Sequence, residues 1–123
     1  MTTQLDKNGY IASDLDGTLA IHYWPEQGYY NPLKIGDPIP LMVNRVKQWL
    51  AEGIDVRIFT ARITGHTPEF TQLIVKAIED WCLVHLGKIL PITATKDQYM
   101  VLLYDDRARQ VEHNIGRVIG EDE

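Results

Sequence analysis

Two aspartates, Asp14 and Asp16, stand two residues apart and are followed by glycine in the run Asp14-Leu15-Asp16-Gly17-Thr18. Side chains at i and i+2 leave a strand on the same side, and Gly17 permits a turn that a residue with a Cβ would resist. A second acidic pair, Asp105-Asp106, ends the apolar run Met100-Val101-Leu102-Leu103-Tyr104. Carboxylates gathered in this way repel one another unless a cation lies between them, and an all-oxygen donor set suits Mg²⁺. A bound Mg²⁺ also offsets the repulsion between a carboxylate nucleophile and a phosphate. An aspartate can attack phosphorus and form an aspartyl-phosphate. Its neighbour two positions on can then protonate the leaving oxygen and deprotonate the incoming water. Thr60, with backbone amides nearby, can hold phosphate oxygens, and Lys96 can neutralise nucleophile and phosphate together.

Such chemistry needs a scaffold that brings distant segments to one place. Residues 9–13 read as a short buried strand running into the first acidic turn. Met42, Val43, Val46, Trp49 and Leu50 recur at helical spacing after Pro38 and Pro40, and Gly53 marks the stop. Residues 54–59 are a β-branched strand ending at Thr60-Ala61-Arg62. Thr67 and Pro68 open a second helix whose apolar stripe runs through Phe70, Leu73, Ile74, Ala77, Ile78 and Trp81, with Gly87 closing it. Residues 89–92 predict a short strand, residues 100–104 a stronger one, and residues 108–114 a final short helix. Strands alternating with helices imply an α/β fold, a mainly parallel sheet with helices on both faces. Ligands of such sheets bind beyond the carboxyl ends of the strands, where Asp14, Thr60 and Asp105/Asp106 all fall. The stretch from 17 to 40, rich in glycine, proline and aromatics (Tyr23, Trp24, Tyr29, Tyr30), is long for a plain connection and predicts a loop with its own task or a small hairpin flap.

Taken in order, Asp14-Leu15-Asp16-Gly17-Thr18-Leu19, Val56-Arg57-Ile58-Phe59-Thr60, Lys96 and Leu102-Leu103-Tyr104-Asp105-Asp106 resemble the four motifs of the haloacid dehalogenase-like phosphohydrolase superfamily. The resemblance spans nearly the whole chain. It implies a Rossmann-like three-layer α/β/α sandwich with Asp14 as nucleophile and Asp16 as general acid/base. Thr60 and Lys96 would hold the phosphoryl group. Mg²⁺ would be bound by the Asp14 carboxylate, the Asp16 carbonyl, and one or both of Asp105 and Asp106. Gly17, Thr18, Ala61, Arg62 and Arg107 complete the expected substrate-binding set. The inserted flap of the family corresponds to residues 17–40, and the chain has no room for a large cap domain. Lys96 lies closer to Asp105 than in many relatives, which leaves Lys88 as an alternative.

Other readings attach to the same residues. Thr60 can cap the strand–helix loop, and Asp105 or Asp106 can cap a following helix. Arg62 and Arg107 can grip a phosphate through the planar guanidinium or pair with a neighbouring carboxylate. His22 can line the substrate entrance or pack the flap; His66 reads as a surface loop residue, and Cys82, His85 and His113 as structural or solvated. An EF-hand is excluded because the twelfth position from Asp14 is Pro25 rather than glutamate.

With 123 residues the chain predicts a single domain over 1–123. Its net charge of −5 disfavours non-specific nucleic-acid or membrane binding. A lone cysteine, no apolar run of ~20 residues and no signal-like N-terminus are the features of a cytoplasmic protein. The expected activity is Mg²⁺-dependent hydrolysis of a phosphomonoester, with a phosphorylated small molecule or a nucleic-acid 3′-phosphate end as partner. The competing readings are a non-catalytic phosphate- or Mg²⁺-binding module and a phosphorylatable receiver-like domain. Receivers place the acidic pair first, whereas here it comes last.

Overall fold

The computed structural model of the chain describes residues 9–23 and 31–122. Trp24, Tyr29 and Tyr30 of the expected flap lie outside the described residues. Strands β1 (Tyr10–Asp14), β2 (Val56–Phe59), β3 (Ile92–Thr93) and β4 (Met100–Tyr104) form one sheet in the order β3-β2-β1-β4. Every pairing is parallel. Helix α1 (Pro40–Ala51) links β1 to β2, and a 3-10 turn (Ala61–Ile63) with α2 (Pro68–Leu86) links β2 to β3.

Alternation along the strands sorts their side chains onto two faces. Ile11, Val56, Ile58, Leu102 and Tyr104 face the helices and join Val43, Val46 and Trp49 of α1 and Ile74, Ile78, Trp81, Cys82 and Leu86 of α2 in the core. Trp49 packs on Tyr104 with ring centroids 4.9 Å apart. The expected stripe of α2 is present except for Leu73, which is 56% exposed. Thr67 caps α2 through its side chain, accepting from Phe70 N–H at 3.2 Å, and Gly87 ends it.

The α/β class and the parallel sheet match the expectation from sequence; the layering differs. Moving from β1 to β2 to β3 is a walk in one direction, so right-handed crossovers put α1 and α2 on the same face, where they pack on each other. The return from β3 to β4 runs the other way and crosses the second face in residues 94–99. Tyr10, on that face, donates its hydroxyl to Asp97 at 3.2 Å and lies under the Arg57 guanidinium, 4.1 Å away. Among the described residues the second face therefore carries a connection and no helix.

The helix expected over 108–114 is also absent. Val111 and Val118 form an antiparallel bridge instead, with Glu112 N–H on the Arg117 carbonyl at 2.8 Å. Asn114 adopts a positive φ of 61°. Val111 and Ile115 are 56% and 70% exposed, so this segment has no apolar stripe to bury and no reason to coil.

The two described legs of the flap pair with each other. Ile21 N–H donates to Asp37 O and Ile39 N–H to Leu19 O, both at 2.8 Å. A Cβ on Gly36 would sit 1.9 Å from the Ile21 carbonyl oxygen, which explains glycine there. Trp81 of α2 donates its indole N–H to the Gly36 carbonyl at 2.9 Å and ties the returning leg to the helical layer.

Candidate functional site

The strand register builds the site. Asp14 pairs with Phe59, so Thr60 lies one step past the end of β2; Ser13 pairs with Tyr104, which sets Asp105, the residue after β4, level with Asp14. The carboxyl ends of β1, β2 and β4 thus share one edge. An oxygen from each of Asp14, Asp105 and Asp106 lies within 4.8 Å of the others.

Thr18 ties this cluster together. Its hydroxyl oxygen is 3.3 Å from Asp14 Oδ2 and 3.1 Å from Asp106 Oδ1, and it accepts the Asp106 amide at 3.1 Å. One hydroxyl proton serves one carboxylate at a time. Gly17, at φ +87°, leaves room for Asp106 against its bare Cα. Asp105 Oδ1 accepts the Arg107 amide at 2.9 Å in a local turn, so it caps no helix. Arg107 itself is exposed.

Crowding shows in the acidity of Asp14, whose pKa is pushed up to about 7. Burial is the main cause, followed by the negative charge of Asp105 and a hydrogen bond with Asp106; the Thr18 hydroxyl works in the opposite direction. A divalent cation among the three carboxylates would relieve this repulsion. With three oxygen donors and no sulfur or imidazole in the cluster, the residues fit a hard cation that keeps water in its remaining positions, as Mg²⁺ does.

Asp16 is not part of that cluster. Both its oxygens accept from Arg62, Nε to Oδ2 and Nη2 to Oδ1, each at 2.7 Å. The Arg62 side chain is 4% exposed, and its Nη1 also donates to the carbonyls of Pro32 at 2.8 Å and Lys34 at 3.1 Å. Of the two roles open to Arg62 from sequence, pairing with a carboxylate is the one the structure displays. It clamps the first motif, the β2 end and the returning flap leg to one another. His22 Nδ1 approaches Asp16 Oδ1 at 3.7 Å.

Thr60 is buried and caps the 3-10 turn, its hydroxyl oxygen accepting from Arg62 N–H at 3.1 Å. The hydroxyl proton remains for another acceptor. Ala61 follows at the exposed start of the turn. Lys96 forms no ion pair with these carboxylates among the described residues. It lies exposed in the 94–99 connection beside Asp97. Lys88 follows α2, which starts at the site edge and runs away from it for 19 residues, about 28 Å at 1.5 Å per residue.

Arg45 was not a sequence-derived candidate. Together with Gly17, Thr18, Ile39, Leu41, Met42, Tyr104, Asp105 and Asp106 it lines a hollow of about 340 Å³ beside the cluster. Its signal in the sequence is the spacing Leu41, Met42, Arg45, which puts all three on one side of α1. His66 packs exposed against Phe70, His85 against Trp81, and Cys82 is fully buried with its thiol pKa pushed up to about 11 by burial. No helix among the described residues is long and apolar enough to cross a membrane.

A solved structure of a conserved protein from Bacteroides thetaiotaomicron is similar to this chain, with a TM-score of 0.52 and 23% identity. The likeness covers 80% of this chain and 76% of that one, and at such identity it is a likeness of fold. No family model and no curated protein matches the chain.

Proposed function

We propose that the chain is a haloacid dehalogenase-like, Mg²⁺-dependent phosphomonoester hydrolase acting through an aspartyl-phosphate on Asp14. The observation that carries this reading is the meeting of Asp14, Asp105 and Asp106 at the carboxyl edge of a parallel sheet, with Thr18 bridging Asp14 and Asp106. Asp14, Asp105 and Asp106 would hold Mg²⁺, which would supply charge neutralisation for the phosphoryl group.

In the first step an Asp14 carboxylate oxygen bonds to phosphorus and the bond to the ester oxygen breaks. The leaving oxygen takes a proton from the acid form of Asp16. In the second, Asp16 takes a proton from water as the water oxygen attacks phosphorus, releasing inorganic phosphate and free Asp14. The Thr60 hydroxyl would donate to a phosphoryl oxygen. Because Arg62 holds both Asp16 oxygens, each proton transfer requires one of those hydrogen bonds to open or shift. Lys96 would help to hold the phosphoryl group.

The test is release of phosphate from an aryl phosphate by the purified protein with Mg²⁺. Activity that survives Asp14→Asn, or that needs no divalent ion, would sink the mechanism. The capture of Asp16 by Arg62 favours one second reading, a Mg²⁺- or phosphate-binding module without turnover. Saturable Mg²⁺ and phosphate binding with no hydrolysis across a panel of phosphomonoesters would establish it.

A further inference from the structure

The hollow beside the carboxylates has a chemistry of its own. Asp105 and Asp106 line one part of it, and Ile39, Leu41, Met42 and Tyr104 supply apolar walls. Arg45 adds a single cation. Leu41 is 77% exposed, and Arg45, one turn further along α1, makes no hydrogen bond or ion pair among the described residues. An apolar surface left uncovered beside an unpaired guanidinium is the pattern of a site that awaits a ligand with both characters. At about 340 Å³ the hollow belongs with the smaller of small-molecule sites, which span ~300–1,000 Å³.

The geometry points to this hollow as the leaving-group subsite, selective for small phosphomonoesters that carry a second anionic group on an apolar body, with Arg45 as the residue that reads that anion. This rests on the phosphatase reading above and narrows its substrate to a doubly anionic small molecule. A chain of net charge −5 gives such a ligand no general attraction, so a local cation must do the selecting. Arg45 is suited to a planar carboxylate or to a second phosphate through its forked donors.

The test separates binding from turnover. Benzylphosphonate, 4-carboxybenzylphosphonate and p-xylylene diphosphonate, none of them hydrolysable, are titrated calorimetrically into the wild type and Arg45→Met with Mg²⁺ present. The expected result is about five- to tenfold tighter binding of a doubly anionic probe to the wild type, the order of one partly exposed charge-assisted contact. The tighter of the two charged probes identifies carboxylate or phosphate as the second anion. In Arg45→Met the advantage should fall to less than about twofold, and Arg45→Lys should restore part of it. Equal binding of all three probes to the wild type, a preference that persists in Arg45→Met, or no binding by any probe overturns the inference. Hydrolysis of phenyl phosphate and 4-carboxyphenyl phosphate is measured in parallel. Arg45-dependent binding without hydrolysis rejects the phosphatase reading and keeps the subsite; hydrolysis without Arg45-dependent selection does the reverse.

Discussion

The carboxylate of Asp106 occupies the space where a Cβ on residue 17 would stand: built onto Gly17, that atom would lie 2.8 Å from Asp106 Oδ2. Two segments 88 positions apart are thus fitted to each other, with Thr18 bonded to Asp106 alongside.

Gly17→Ala should accordingly damage both stability and site. The left-handed backbone at φ +87° costs a residue with a Cβ about 1–2 kcal/mol, and Asp106 must move as well. A fall in melting temperature, together with at least tenfold weaker Mg²⁺ binding by calorimetry, is expected. A variant with unchanged Mg²⁺ affinity would show that the position of Asp106 does not matter to the metal.

The pairing of Arg62 with Asp16 predicts an asymmetric stability effect. Arg62→Met leaves Asp16 and two carbonyls without their donor, and losing one partner of a buried pair costs about 3–5 kcal/mol. Asp16 retains some contact with solvent, which favours the lower end of that range. Arg62→Lys should recover little, because an ammonium cannot reproduce the bidentate contact and the carbonyl bonds together. Urea unfolding of Arg62→Met, Asp16→Asn and the double variant measures the coupling; additive losses would mean the pair contributes nothing jointly.

Asp14 sets a pH dependence with a definite sign. Its folded pKa is about 7 against an ordinary 3.8, so the folded state binds the proton more tightly than the unfolded one. Its contribution to stability is therefore fully present below about pH 4 and is lost as pH rises through about 7. Mg²⁺ requires the ionised form, so its affinity should climb from pH 5 to pH 7.5 and level off above, with proton release on binding near pH 6. The thermal shift caused by Mg²⁺ should be larger at pH 8 than at pH 5.5. In Asp14→Asn that pH dependence should vanish.

Asp105 is the neighbouring charge that acts most on Asp14. Asp105→Asn should lower the midpoint of the Mg²⁺ pH profile. It should also raise metal-free stability at pH 8 by up to about 1 kcal/mol, the scale of partly exposed charge interactions, while weakening Mg²⁺ binding tenfold or more. Equilibrium unfolding with and without Mg²⁺ reads both effects, and a loss of metal-free stability would contradict the repulsion.

Residues whose neighbours are dictated by strand ends were legible in the sequence. Asp14, Thr60 and Asp105 end predicted strands, and a parallel sheet brings such ends to one edge whatever the connections do. The partner of Asp16 was not legible, because choosing between a phosphate and a carboxylate for Arg62 depends on which carbonyls the flap returns to it. The helix expected over 108–114 failed because local propensity without a buried face does not hold a helix.

The pairing of β1 with β4 has a consequence for how the protein comes into being. Strands β1, β2 and β3 follow one another through their connecting helices and can associate as the chain emerges. Joining β4 to β1 closes a loop of nearly ninety residues, at an entropic cost of about 4 kcal/mol before any contact offsets it. Until then β1 has one bare edge, and Asp14 has neither Asp105 nor Asp106 beside it. A nascent or C-terminally clipped chain would therefore own most of the core but no carboxylate cluster, and the last strand to arrive is the one that completes it.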